Sequence, residues 1–339
     1  MTFHELILPT LDRWLGLLAL AVLVGGLVVD VIVLPRGVDT RDPARWQLRA
    51  WTSAATMVLI VTSVGDLIAR AAVMTGGDVS RAAAALPLVL MRTHFGAVWI
   101  ARVVGLVLLV AVSFARSRPA RIVGLVLSLG VVLSGSLTGH AADRGDLSLA
   151  VLVQWLHAVA ASAWTGGLFT LALTIRRPWV PERLAIIAPR FSRLAGYCLP
   201  VVVASGLYNA WVELPTLAAL WSTTYGRALF AKIVLAAALA VLGAINRYLV
   251  LPDLGESPAP RMIGRLRRLG RMTPFGGAPT PAAATATLSR LVAREAMIAV
   301  VVFGCTAVLG ESTPKSHGGH AAHPAAHEPS RSAASSRLY

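Results

Sequence analysis

Two histidines, His140 and His157, stand in the run from Gly139-His140-Ala141 through Trp155-Leu156-His157 to Trp164-Thr165-Gly166-Gly167. Both lie in or beside long apolar stretches. An unpaired ionisable ring in hydrocarbon is costly, so intramembrane histidines face a bundle interior and mark a path for an ion, a proton or a metal. Residues three, four and seven apart share one helix face, which places Gln154, Ala160, Ala161 and Trp164 around His157. The small residues leave room beside the ring, and Gln154 is positioned to orient it or to bond a bound water. The competing reading is a neutral core histidine satisfied by a nearby carbonyl. At 1.5 Å rise per residue His157 lies about 10 Å deeper than His140, so two stations on one path fit as well as one shared ion. His94, at the start of another apolar run, is a third candidate.

The elements that must position these rings are membrane helices. Hydrophobic residues make up 56% of the chain and charged residues 14%, and mean hydropathy is +0.69, a composition outside the range of ordinary soluble domains. A crossing needs about 20 predominantly apolar residues. Runs of that kind extend near Leu11 to Leu34, Thr52 to Val73, His94 to Phe114, Ile122 to His140, Leu149 to Ile175, Leu194 to Trp211, Tyr225 to Leu249 and Leu291 to Gly310. The expected fold is all-α: an integral membrane bundle of about eight transmembrane helices over residues 1–312, then a disordered His-rich tail over 313–339. The first run has Asp12 and Arg13 near its start and no small-residue cleavage site, so it reads as a retained span rather than a signal peptide. Gly135 and Gly139 form a GxxxG step, and Gly166 with Gly167 a small pair, both suited to close helix packing. Cys198 and Cys305 offer neither a disulfide framework nor a CxxC motif.

The net charge of +15 does not point to nucleic acid, because the arginines fall in alternate loops. Arg36, Arg41, Arg45 and Arg49 follow the first span, Arg116, Arg118 and Arg121 the third, Arg176, Arg177, Arg183, Arg190 and Arg193 the fifth. Arg261, Arg265, Arg267, Arg268 and Arg271 follow the seventh. The positive-inside rule puts these loops in the cytoplasm and both termini outside. All eight histidines, namely His4, His94, His140, His157, His317, His320, His323 and His327, then lie on the extracytoplasmic side. The tail histidines form a short His-rich tract of metal-binding composition, and imidazole suits copper, zinc and nickel alike. Asp143, Asp146 and Glu213 add carboxylates to the same rim. Asp66 and Arg102 are expected to pair across spans two and three, and Arg247 and Glu295 across spans seven and eight; Lys232 is expected to snorkel outward. No GxxxxGK[ST] or other phosphate-cradling loop occurs, which argues against a nucleotide-driven pump.

The ordered set Gly139-His140-Ala141, Leu156-His157, Trp164 with Gly166-Gly167, Arg190-Phe191-Ser192, Ser205-Gly206, Tyr225-Gly226 with Lys232, Asn246-Arg247 and Arg294-Glu295 resembles the copper resistance protein D family of bacterial inner-membrane proteins. Thr93, Phe95-Gly96, Trp99 and Arg102 resemble that family's third helix. The resemblance covers roughly spans two to eight and stops at the tail. It implies a non-enzymatic protein that handles copper ions at the inner membrane, described as uptake toward the cytoplasm, alongside a periplasmic copper-binding partner. His140 and His157 are the copper-associated histidines by motif match. Outer methionine is scarce, with Met74 and Met91 the main candidates, so a Met-rich relay is not evident. Two rival readings stay open: a b-type haem electron-transfer protein, which needs two facing histidines at one level, and a scaffold that hands copper over without transporting it.

Overall fold

The computed structural model describes residues 3–35, 42–76, 79–175, 181–214, 216–251 and 281–311. Among these the regular structure is helical throughout, and eight helices are long and apolar enough to cross a membrane. The first span is α1 (Phe3–Val28), continued by a π turn at Val29–Val33; α2 (Pro43–Met74) returns. Then follow α3 (Val79–Arg92), α4 (His94–Ser113), α5 (Arg118–Leu137) and a 3-10 turn at His140–Arg144. The fifth span is α6 (Leu149–Ala161), a π turn at Ser162–Gly166 and α7 (Gly167–Ile175) in direct succession. The remainder is α8 (Pro181–Glu213), the short α9 (Ala219–Ser222), α10 (Thr224–Ile245) with a π turn at Asn246–Val250, and α11 (Pro281–Glu311). The tail histidines and the arginine-rich segment after α10 lie outside the described residues.

Side-chain caps set where four spans begin. Thr93, Ser117, Ser148 and Thr223 each accept a hydrogen bond from a backbone N–H three residues on, in the first turns of α4, α5, α6 and α10. Such caps satisfy N–H groups that a helix start leaves free. The Ser148 cap matters most, because it fixes the depth of everything along α6. The α3 helix was not anticipated from hydropathy, being too short and too polar on one side to cross. It buries Ala82 and Val89, leaves Leu88 and Met91 exposed, and packs on α2 and α4.

The first span is the hub of the bundle, packing against α2, α5, α7, α11 and the π turn of the fifth span. Ala21, Leu23, Val24, Val28 and Val29 are all buried. Around it the outer faces are apolar, with Val61, Ile68, Val107, Val126, Leu207, Val241 and Val301 exposed, as suits helices whose backbone groups are satisfied internally and whose surroundings are lipid. Trp14 Nε1 donates to the Val300 carbonyl at 3.1 Å, and Arg13 meets Glu311 at 3.4 Å. These contacts hold the start of α1 beside the end of α11. At the opposite end Arg190 Nη1 donates to the Val33 carbonyl at 3.4 Å.

The expected Asp66–Arg102 pair is present at 3.6 Å. A third charge joins it: Asp12 of α1 packs its carboxylate against Gly65, where an added Cβ would come within 2.6 Å of Oδ1.

The two glycine pairs behave differently. A Cβ on Gly25 would overlap the Gly166–Gly167 backbone, and one on Gly166 would overlap the Ala21 carbonyl. Here α1 crosses the fifth span with no room for a side chain on either strand of the contact. Gly135 has nothing within 4 Å of an added Cβ, so the GxxxG step does not mediate packing. Gly166→Ala is therefore expected to destabilise the protein by about 3 kcal/mol, the upper end of overpacking costs, read as a lowered melting temperature in detergent. Gly135→Ala is expected to be neutral or to stabilise by about 0.5–1 kcal/mol through helix propensity, and serves as the control.

Candidate functional site

The site is assembled where α6 lies antiparallel to α8. Asn209 Nδ2 donates to Gln154 Oε1 at 2.7 Å, and one turn deeper His157 Nδ1 lies 2.9 Å from Ser205 Oγ. Moving three residues along α6 thus corresponds to moving four back along α8. Trp155 Nε1 donates to the Leu129 carbonyl at 3.1 Å and pins α6 to α5. Gln154 therefore does not orient His157, as its helical spacing suggested; its amide is taken by Asn209, and Ser205 does the orienting.

The Ser205 contacts fit one imidazole tautomer. With the Ser205 hydroxyl donating to the Val201 carbonyl one turn back, and having a single proton, its oxygen is left to accept from His157 Nδ1. In that tautomer Nε2 carries the lone pair, as in a metal-ligating histidine whose other nitrogen is held by an outer partner. Gly206 gives the ring its place, since a Cβ there would come within 3.3 Å of His157 Cε1.

Depths agree across the bundle. His157 lies about 12 Å along its helix from Leu149, and Ser205 the same distance from Glu213, at 1.5 Å per residue. Lys232 lies equally far into α10. It stands within electrostatic range of His157 and of Cys305 and is partly exposed.

The backbones of His94 and His140 stand at one end of the bundle, at the start of α4 and in the connection between α5 and α6. α5 ends at Leu137, and extended backbone at Gly139 leads into the 3-10 turn that His140 begins. His140 thus sits in the connection between spans rather than at the end of span four, and its side chain lies outside the described residues. His94 begins α4, where its Nε2 is 3.3 Å from Asp146 Oδ1, with side chains 44% and 56% exposed. This exposed contact links α4 to the connection carrying His140, and His94 is not brought to His157. Among the described residues no three His, Cys, Asp or Glu side chains come together as a metal cluster. His317, His320, His323 and His327 fall outside those residues.

Toward the opposite end a cavity of about 450 Å³ opens between the fifth span, α8, α10 and α11. Trp164, on the His157 face of the fifth span, lines it together with Leu199, Asn246, Arg247 and Glu295. The expected Arg247–Glu295 pair is not formed. Glu295, 3% exposed, accepts from Asn246 Nδ2, whereas Arg247 Nη1 donates to the Ser192 carbonyl at 2.7 Å. Asn246, whose backbone N–H still bonds the Leu242 carbonyl in the α-helical register of α10, is the residue that faces α11, and a π turn begins there. The Asn246 Oδ1 atom is buried with no hydrogen-bond partner. Among side chains with soft donor atoms on these spans, Cys198 is buried, whereas Met297 is 69% exposed and Met57 46% exposed.

Comparison with known proteins accords with this arrangement. The N-terminal domain of the copper resistance protein D-like family matches residues 4–149, and the family Copper resistance protein D matches residues 185–309. Copper resistance protein D of Pseudomonas syringae pv. tomato is 26% identical over 87% of the chain and 93% of its own length. Copper transport protein CutJ of Bacillus subtilis is 34% identical over 34% of the chain, a match spanning 22% of that longer protein. Inner membrane protein YebZ of Escherichia coli is 27% identical over 49% of the chain and 58% of its own length. No solved structure matches. With both halves of the bundle matched, the chain belongs to the copper resistance protein D family of membrane proteins.

Proposed function

We propose that this protein carries copper ions through the membrane toward the arginine-rich, cytoplasmic face, with His157 as the fixed ligand inside the bundle. The observation that carries this reading is the His157–Ser205–Val201 relay, which leaves Nε2 free to coordinate in a member of a copper-handling family. Copper is the cargo here, and the protein acts as a carrier rather than a catalyst. The His-rich tail, Asp143 and Asp146 would collect cations at the extracytoplasmic rim, His140 would receive them, and His157 would take them a further two turns inward. The cavity that begins at Trp164 and ends at Glu295 supplies the inner part of the route, with Glu295 as its carboxylate. Both termini are placed outside by the arginine distribution, where a periplasmic copper-binding protein would deliver the ion.

The haem reading needs a second histidine opposite His157, and His94 is engaged with Asp146 at the end of the bundle. That geometry favours the carrier.

In a copper titration of the purified protein, His157→Ala is expected to remove one tight equivalent. Ser205→Ala is expected to weaken that equivalent by about 10- to 100-fold, the usual effect of losing an outer partner of a ligating histidine. Unchanged stoichiometry and affinity in both variants would overturn the assignment. Deleting everything after Lys315 is expected to remove only loosely bound equivalents. Those equivalents should be lost on acidification below about pH 6.5, because imidazole binds metal in its neutral form and protonation competes. Uptake of radioactive copper into proteoliposomes, compared with release from preloaded ones, reads the direction of transport.

A further inference from the structure

At the arginine end, away from the metal path, a second cavity of about 250 Å³ lies between α1, α2, α4 and α5. Three guanidinium groups and one carboxylate gather there. Asp30, 6% exposed on the π turn that ends the first span, lies 3.7 Å from Arg45 Nη1 and 3.5 Å from Arg121 Nε. Those are ion-pair distances rather than hydrogen bonds. Arg49, one turn beyond Arg45 on the same face of α2, is near enough to Asp30 to feel its charge but forms no ion pair with it among the described residues. The cluster therefore carries two more positive charges than negative.

Its hydrogen-bonding capacity is also unfilled. Arg45 Nε, Arg49 Nη2, Arg121 Nε and Asp30 Oδ1 are all buried with no hydrogen-bond partner, and Arg45 as a whole is 2% exposed. Buried guanidinium nitrogens without acceptors are expensive, and Asp30 meets Arg45 and Arg121 only at ion-pair distance and does not pair with Arg49 among the described residues. Arg49 and Arg121 line the cavity, beside the hydroxyls of Thr52, Ser53 and Thr56. The first turn of α5 lines the cavity at Ala120 and Arg121 and the last turn of α4 lines it at Val112 and Ser113, so the two helix dipoles oppose each other there and the arginines carry the charge. Three guanidinium groups outnumber the one carboxylate, and a phosphate group would supply further negative charge and acceptor oxygens through paired N–H···O bonds to arginine.

The rest of the wall indicates the shape of the ligand. Away from the arginines the cavity is lined by Leu23, Leu27 and Leu109. It reaches the outer face of the bundle at Met57 and Phe114, which are 46% and 80% exposed. It is thus cationic at the membrane surface and apolar beneath, with a side that opens to lipid.

We infer that this cavity is a binding site for a phosphate group, seated on Arg49 and Arg121 and backed by Arg45, of the kind presented by an anionic phospholipid headgroup or by free phosphate. An anionic lipid would lay its glycerol and upper acyl carbons along the leucines, whereas inorganic phosphate would fill the polar end alone.

The test uses the full-length protein in nanodiscs of equimolar phosphatidylcholine and phosphatidylglycerol, extracted gently and weighed by native mass spectrometry. A parallel thermal melt in detergent is titrated with inorganic phosphate. The wild type is expected to retain phosphatidylglycerol over phosphatidylcholine, and Arg49→Gln to retain about tenfold less, as the loss of one charge-assisted contact of about 1.4 kcal/mol implies. Arg92→Gln, an exposed arginine at the other end of the bundle, should retain it like the wild type. Stabilisation by inorganic phosphate that Arg49→Gln abolishes, without lipid preference, would support the same site with free phosphate as its occupant. If neither retention of phosphatidylglycerol nor stabilisation by phosphate depends on Arg49, the inference is overturned. Because Arg49 makes no hydrogen bond through its buried Nη2, its replacement should not unfold the chain. An unliganded melting temperature matching the wild type confirms that the comparison is valid.

Discussion

The bundle depends on the crossing of its first span with the middle of its fifth. At Gly25 and Gly166 two helical backbones come so close that neither position has space for a single carbon. In lipid there is no hydrophobic drive to bring apolar helices together, so close van der Waals packing of small residues supplies the attraction. This contact places α1 at the centre, with α2, α5, α7 and α11 around it. It also clamps the fifth span about two turns below His157. The ring consequently stands on a helix immobilised above by the Trp155–Leu129 bond and below by the glycine crossing.

Each of the three π turns coincides with a place where the bundle deals with something other than apolar packing. The first carries Asp30, which meets the arginines, the second carries the glycine crossing and Trp164, and the third begins at Asn246, which bonds Glu295. A π turn widens a helix locally and shifts every later side chain around its axis. In a structure of straight membrane helices this is how a polar group can be re-aimed without breaking the backbone ladder. The charges themselves are distributed unevenly. Asp66, Asp12 and Arg102 form a compact group toward the histidine end, while the arginine end holds a surplus of positive charge around one buried carboxylate.

The histidine on α6 was legible from composition alone, since an ionisable ring in an apolar run is rarely incidental. Its partner was not. Ser205 lies on another span, and only the antiparallel register of α6 and α8, in which Gln154 meets Asn209 and His157 meets Ser205, puts the hydroxyl on the ring. Matching depths counted inward from the ends of the two spans carried that signal. Helical spacing instead favoured Gln154, because a periodicity argument sees neighbours along one helix and not across two. The Arg247–Glu295 expectation failed for a related reason: similar depth suggested a pair, but depth does not fix the direction around the helix, and Asn246 rather than Arg247 faces Glu295. For Asp66 and Arg102 depth and direction coincide.

Sequence by itself determined the all-α membrane class, the eight spans, the asymmetry of arginine and histidine between the two ends, and the family. These follow from hydropathy, charge and motif order, which are properties of the chain read in one dimension. Tertiary structure decided which glycines matter, which hydroxyl meets the His157 ring, where His94 and the backbone of His140 stand, and that a cavity with unsatisfied arginines exists at the far end. Those depend on interhelical distances of a few ångströms and on hydrogen-bond directions, and a linear pattern holds neither until the helices have packed.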